Sequence, residues 1–273
     1  MARQAVETLA EITEQHTGST EELLDDLHQA SRRLAAARPG VGSIAGAVGR
    51  LLAAGRHESH LDPEEFKRML QEEALGLTEG RMRAPASIAI QLKDRLEGAI
   101  ALTHSASATV REAFLHCKPS KVLCTVSAPV EEGRQFVEDM REAGLDAELV
   151  EDADAPGRVS EASVLLLGAD TVFRDGAVCN KVGTIPLARA AAAAGVPTVV
   201  AAEVIKLAPV PGAQSPDLAE FEQELFELVP PDLITEIVTE EGAFTPDDVA
   251  ALVDRVPFLL EGYELVAPAG VSQ

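Results

Sequence analysis

The stretch LLLGADTVFRDGAVCNKVGTIPLARAAAAAGVPTVVAA, from Leu165 to Ala202, reads as a buried strand, a polar loop, a helix and a second buried strand. Its loop brings an acid, an amide and an ammonium group close together in sequence: Asp170, Asn180 and Lys181. Gly183 and Thr184 then open the helix. The unpaired N–H groups of a helix amino terminus form a natural seat for a phosphate, to which Lys181 adds its charge. A loop aspartate beside a helix start is more often a cap or hydrogen-bond acceptor than a catalyst, and from these residues alone both roles stand for Asp170.

The same texture extends back to Cys117. KVLCTVS, DAELVE, SVLLLGA and PTVVAA have the character of strands, and EEGRQFVEDMREAG that of an amphipathic helix. Gly144 and Gly195 each close a helix just before a new strand. This βαβ repetition predicts an α/β fold in which residues 116–273 form a Rossmann-like domain with a mostly parallel, doubly covered sheet. Ligands of such folds sit at the carboxyl ends of the strands. No GxGxxG follows any strand, so a dinucleotide site has no support.

Residues 1–115 show helical patterns and no convincing strand, which predicts an amino-terminal helical subdomain. TEELLDDLHQASRRLAAARPG begins at a cap, Thr20, with Glu21 and Glu22 in the first turn, and ends at Pro39-Gly40. DPEEFKRMLQEEALGL opens at Asp62 with Pro63 in the first helical position, and Phe66, Met69 and Leu70 recur at helical spacing.

Composition bounds the function classes. The chain has 273 residues, of which 46% are hydrophobic, enough for a real core in one large domain or two unequal ones. No run approaches the ~20 apolar residues that cross a bilayer, and MARQAVETLAEITEQ is an acidic amphipathic helix, not a signal peptide. A soluble cytoplasmic protein with no membrane contact is expected. Cys117, Cys124 and Cys179 make an odd count without close pairs, so neither a disulfide framework nor a metal site is indicated, and no cofactor is called for. The formal net charge is −22, and arginine outnumbers lysine seventeen to six. With abundant alanine and few aromatics, that skew is expected of a halophilic protein, whose self-repulsion concentrated salt screens. A solvated acidic coat also disfavours direct nucleic-acid binding.

GADTVFRDGAVCNKVGTIPLARAAAAAGVPTVVAA resembles the signature of a known superfamily. It unites the alpha, beta and delta subunits of translation initiation factor 2B with ribose-1,5-bisphosphate isomerase and methylthioribose-1-phosphate isomerase. Three further stretches are similar to its motifs, in the same order: ARPGVGSIAGAV at Ala37 to Val48, ALTHSASATVREAF at Ala101 to Phe114, and FELVPPDLITEIVTEEGAFTPDDV at Phe226 to Val249. The resemblance implies a helical domain before a Rossmann-like one, assembled into at least a homodimer. In FELVPPDLITEIVTEEG, Pro230 and Pro231 are expected to introduce a helix whose Leu233, Ile234 and Ile237 face the core.

For chemistry, the resemblance implies that aldose–ketose conversion rests on a cysteine after LTH and on the aspartate of GAD. The aspartate is Asp170, but the position after LTH is Ser105. A serine hydroxyl is a far poorer acid or base near neutral pH than a thiol of pKa ~8.5, unless a neighbouring base activates it. A Ser105–His104–Asp170 set can be drawn, and a packed or hydrogen-bonded His104 is the preferred reading. Where the family has ESRP, this chain has VSAP, with Val126 at the acid and Ala128 at the phosphate-gripping arginine; Arg134 compensates only if it turns back. Cys117 and Cys124 are assigned to packing. Cys179, beside Asn180, is a substitute thiol only if it is not packed.

The expected binding set is therefore Arg38, Asn180, Lys181, Gly183 and Thr184. Asp170 and Ser105 are catalytic only if the protein is an enzyme. The expected function is that of an initiation-factor-2B-like regulator, binding a phosphorylated sugar or nucleotide, contacting translation initiation factor 2 and lacking isomerase turnover. The alternative is an aldose–ketose isomerase of the ribose-1,5-bisphosphate type in nucleotide salvage.

Overall fold

Strand residues of alternating direction sort the core into two faces around one parallel sheet. The computed structural model describes residues 2–215, 218 and 220–266. Seven of its strands form the main sheet: β1 (Ile100–Thr103), β2 (Lys121–Thr125), β3 (Ala147–Val150), β4 (Val164–Leu167), β7 (Thr198–Ala201), β10 (Glu236–Thr239) and β11 (Gly242–Phe244). Their order is β11-β10-β7-β4-β1-β2-β3, parallel throughout except for the β10–β11 pair. Leu165 and Leu167 of β4 point to one face, where Leu187, Ala188 and Ala191 of a helix pack, while Val164 and Leu166 point to the other. Burial on both faces explains why the central strands are uniformly apolar.

The chain runs outward through β1, β2 and β3, then returns to the other side of β1 to lay down β4. The crevice between the carboxyl ends of β1 and β4 is thus the topological switch point, where ligands of open α/β sheets bind. Ser105 lies just past β1 and Asp170 just past β4.

The described chain opens with four long helices: α1 (Ala2–Gln15), α2 (Thr20–Ala37), α3 (Gly42–His57) and α4 (Pro63–Gln91). Leu9, Leu23, Leu27, Leu51, Phe66 and Leu70 make their shared core. The cap of α2 is Ser19 and not Thr20. Ser19 Oγ accepts from the Glu22 amide while Glu22 accepts from the Ser19 amide, at 3.2 and 2.8 Å. Only Ser19 has a glutamate three residues on, so only Ser19 can close a capping box; Thr20 turns its hydroxyl to the Leu61 carbonyl. Asp62 and Pro63 open α4 as expected.

The remaining helices are α5 (Lys93–Leu96), α6 (Ala108–Cys117), α7 (Glu132–Glu142), α8 (Ala155–Arg158), α9 (Thr184–Ala194), α10 (Glu220–Gln223), α11 (Val249–Val253) and α12 (Leu259–Val266). Among the described residues no helix is long and apolar enough to cross a membrane.

Three further expectations need correction. The first 115 residues are not all helical, because Ile100–Thr103 is β1, near the middle of the sheet. Four apolar residues buried on both faces show no alternation, so nothing in IALT separates it from the helical runs around it. Pro230 and Pro231 do not introduce a helix. They open a single 3-10 turn, and Ile237 lies in β10, fully buried. The β-branched succession Ile234, Thr235, Ile237, Val238, Thr239 favours a strand. The polar loop after β4 is in fact a hairpin, β5 (Thr171–Phe173) and β6 (Val178–Lys181). It turns at Asp175-Gly176, with Gly176 at φ +78 and the Asp175 carboxylate accepting from the Ala177 amide. With β8 (Leu207–Ala208) and β9 (Phe226–Val229) it builds a second sheet in the order β8-β5-β6-β9.

The last helix closes the molecule on its first part. Helices α3 and α12 cross where Gly49 meets Gly262, backbone on backbone. A Cβ on Gly49 would lie 2.5 Å from the Gly262 carbonyl oxygen, and one on Gly262 would lie 2.4 Å from the Gly49 carbonyl carbon. No side chain can yield there. A Gly262→Ala substitution is expected to push the helices apart and cost about 1–3 kcal/mol, the range for overpacking a tight contact. Equilibrium urea unfolding of the two proteins checks this.

Candidate functional site: a cleft filled by its own carboxylates

The chain leaves β1 through a strained turn, with Ser105 at φ +67, in the left-handed region that costs a non-glycine residue about 1–2 kcal/mol. The turn delivers the Ser105 hydroxyl to Glu132 at the start of α7, where Oγ donates to Oε1 at 2.6 Å. The same Oε1 lies 3.0 Å from Lys181 Nζ, at the end of β6. Lys181 is buried, 6% exposed. Burial, the largest single influence on Glu132, would raise its carboxyl. The bonds from Ser105, its own amide and Lys181, with the lysine charge, outweigh burial and hold it below the ordinary carboxylate value. Glu132 is thus an anion held where phosphate was expected.

His104 takes no part in activating Ser105. Its Nε2 donates to the Val182 carbonyl at 2.8 Å, which leaves Nδ1 to accept from the Thr125 hydroxyl at 2.6 Å. Burial pushes its pKa down, against weaker opposing effects of Val182, Asp152, Glu132 and Glu227. With both ring nitrogens engaged, the Ser105–His104–Asp170 set does not form.

Asp170 stands on the other side of the crevice. Burial raises its carboxyl above the ordinary value, partly offset by Lys206 and Arg38, while Glu222 adds to the rise. Lys206 Nζ donates to the Ala169 carbonyl at 2.7 Å. Arg38 reaches in from the end of α2 as expected, but its Nε donates to Glu222 Oε1 at 2.9 Å. Glu222, itself fully buried, also accepts from the Gly40 amide at 3.1 Å.

The remaining expected residues brace the turn into α9. The Asn180 amide donates to Thr184 Oγ1 at 3.0 Å, and that hydroxyl donates to the Lys181 carbonyl at 2.7 Å. Gly183 is the cap, at φ +98. The phosphate seat at this helix start is taken, because Glu227 of β9 accepts from the Ile185 amide at 2.8 Å. Where the family arginine is replaced by Ala128, the amides of Ser127 and Ala128 both donate to Asp152, each at 2.8 Å. Ala128, Asp152 and His104 line a cavity of about 220 Å3. Arg134 turns away to Glu131 and Glu151.

No substitute thiol is at hand. All three cysteines are buried. Burial, with the charges of Asp170 and Glu222, pushes the Cys179 thiol up to about 12. It packs with Phe173, Ala177 and Tyr263.

The structure therefore unites Ser105 with Lys181 and Asp170 with Arg38. It adds Glu132, Asp152, Lys206, Glu222 and Glu227, none of which sequence reasoning singled out. Glu132 and Lys206 follow β2 and β7, so the rule that ligands gather at carboxyl ends of strands could have flagged both. Nothing local marks Glu222 or Glu227.

Because unfolding frees His104 to bind a proton near its ordinary pKa of about 6.5, stability is expected to fall as pH drops through that value toward the lower folded-state value. A His104→Gln protein should lack that acid limb in urea titrations between pH 7 and pH 5, and NMR of the imidazole should show the neutral ring persisting below pH 6.5.

Comparison with known proteins accords with this geometry. Residues 1–246 match the initiation factor 2 subunit family. A Pyrococcus abyssi protein named as eIF-2B subunit 2-like, a translation initiation factor, is 34% identical over 197 residues, covering 67% of this chain and 70% of its own length. The ribose 1,5-bisphosphate isomerase of Archaeoglobus fulgidus is 28% identical over 272 residues, 90% of this chain and 84% of the enzyme. The crystal structure of translation initiation factor eIF-2B from Pyrococcus horikoshii OT3 superimposes with a TM-score of 0.76 at 25% identity, covering 90% of both chains. A helical layer, a Rossmann-ordered sheet and a cleft at the β1–β4 switch point thus go with a match along most of the sequence, and the chain belongs to the initiation factor 2 subunit family.

Proposed function

We propose that this protein is a non-catalytic, initiation-factor-2B-like regulator that works as an oligomer and contacts translation initiation factor 2. One observation supports this above the others: the two cations expected to grip a sugar phosphate, Lys181 and Arg38, and the start of α9 already hold carboxylates of the same chain. Lys181 and Ser105 hold Glu132, Arg38 and the Gly40 amide hold Glu222, the start of α9 holds Glu227, and the amides after β2 hold Asp152. A bisphosphate entering here would meet negative charge at each of these contacts.

Turnover also needs a group that takes and returns a proton beside Asp170. Ser105 donates its hydrogen bond to Glu132, but a carboxylate paired with Lys181 and held below its ordinary pKa is a weak base toward that hydroxyl. A phosphorylated sugar or nucleotide remains the ligand class of the cleft, because Lys181, Lys206 and Arg38 surround it; entry displaces Glu132 from Lys181. The isomerase reading is favoured by one feature, the retention of Asp170 at the switch point with a raised pKa, as expected of a general acid or base.

Incubation with ribose 1,5-bisphosphate at molar potassium chloride is expected to give no ketose product; turnover lost on Asp170→Asn would reverse the proposal. Removing the internal anion with Glu132→Gln should tighten binding of a sugar phosphate by about tenfold, roughly 1.4 kcal/mol, as read by calorimetry. Affinity capture from a high-salt lysate should recover translation initiation factor 2, and its absence from the captured fraction would count against the partner.

A further inference from the structure

Glu132 serves as the internal anion of the crevice only because its backbone stands close to the strand ends it faces, and its neighbour decides how close. Glu132 opens α7, and Gly133 is the second residue of that helix. A Cβ on Gly133 would lie 1.7 Å from the Thr125 carbonyl oxygen, 2.9 Å from its carbon and 3.0 Å from the Val126 carbonyl oxygen. All three are backbone atoms at the end of β2, so no side chain can move aside. Among the described glycines none is pressed closer against a neighbour.

The approach is fixed from several sides. The Gly133 amide donates to the Val126 carbonyl at 3.2 Å, and the Glu131 amide donates to the Ser127 carbonyl at 3.0 Å. Farther along α7, Phe136, Val137 and Met140 are buried in the same core as Val122 and Cys124 of β2. The connection from β2 is bent to fit, with Ser127 at φ +67 and Glu131 at φ +60, in the left-handed region that non-glycine residues avoid. The Asp152 carboxylate pins the Ser127 and Ala128 amides of that connection. The start of α7 can therefore neither advance on β2 nor drift from it without losing these contacts.

The consequence falls on the neighbouring side chain. From this seat the Glu132 carboxylate meets Ser105 Oγ at 2.6 Å and Lys181 Nζ at 3.0 Å, groups that arrive from the exit of β1 and the end of β6. A carbon and an oxygen settle at about 3.3–3.6 Å, so a methyl group on residue 133 drives the first turn of α7 back by roughly 1.5–2 Å. Neither contact of Glu132 tolerates a displacement of that size.

We propose that Gly133 is the positioning residue of the crevice: its missing side chain lets α7 seat the Glu132 carboxylate on Lys181 and Ser105, and so sets how strongly a phosphorylated ligand must compete to enter. The seating is a property of the chain itself, and only its effect on affinity rests on the proposed binding of a phosphorylated ligand in the crevice.

Carbon-13 NMR of the Glu132 carboxyl in the full chain reads the seating without any ligand. In the unsubstituted protein this group should titrate below the ordinary glutamate value, and in Gly133→Ala it should return to it. In calorimetry with ribose 5-phosphate, Gly133→Ala should tighten binding about tenfold, as Glu132→Gln does, and the two changes together should do no more than either alone. Glu132→Asp tests the same seat without touching the packed contact. A backbone already against Thr125 cannot advance by the length of the lost methylene, so the shorter carboxyl should titrate without the downward shift and the affinity should rise as for Glu132→Gln. An unchanged Glu132 titration in the folded Gly133→Ala protein, or a carboxyl still held low in Glu132→Asp, would overturn the assignment. The expected titrations with no ribose 5-phosphate bound by any variant would support the role of Gly133 and refute instead the phosphorylated ligand.

Discussion

A parallel sheet covered on both faces must send every one of its connections around an end, and that constraint organises this molecule. Leu165, Leu167, Val164 and Leu166 of a single strand serve two cores at once, so polar groups have no place within the sheet. They collect at the carboxyl edge, where strands hand over to helices. The order of the strands then sets where the edge splits. Because the chain returns past β1 to form β4, Ser105 and Asp170 face each other across a crevice although 65 residues separate them.

What occupies the crevice follows from the cost of burying charge. Lys181 and Arg38 cannot sit in a partly dry site unpaired. The acidic composition of the chain supplies partners in abundance, and Glu132 and Glu222 take them. A cleft of this kind is hydrogen-bonded by its own residues, which suits recognition gated by competition better than proton transfer, where a group must change its charge within each cycle.

In the crevice, Arg38 at the end of α2 and Lys181 of β6 are matched by carboxylates, whereas Lys206 after β7 donates to the Ala169 carbonyl. The segment Val204–Lys206, whose Ile205 is packed by α3 of the helical layer, ties this wall of the crevice to the part of the molecule that Gly49 and Gly262 clamp shut.

Much of the fold was legible in the residues themselves. The strands KVLCTVS, DAELVE, SVLLLGA and PTVVAA, the helix starts at Asp62 and Gly183, and the α/β class all follow from local periodicity, caps and glycine stops, which are properties of neighbouring residues. The place of Asp170 just past the carboxyl end of a strand was legible too. IALT and the β5–β6 hairpin were not, since a four-residue strand buried on both faces looks like any apolar run. Pairing was the part that only tertiary structure decided: which carboxylate meets Lys181, whether His104 faces Ser105, and whether the start of α9 is open. Glu132 for Lys181, Thr125 and Val182 for His104, and Glu227 for the start of α9 lie 21 to 78 residues from the groups they meet, and which of them meet depends on strand order and helix crossing, which no local pattern encodes.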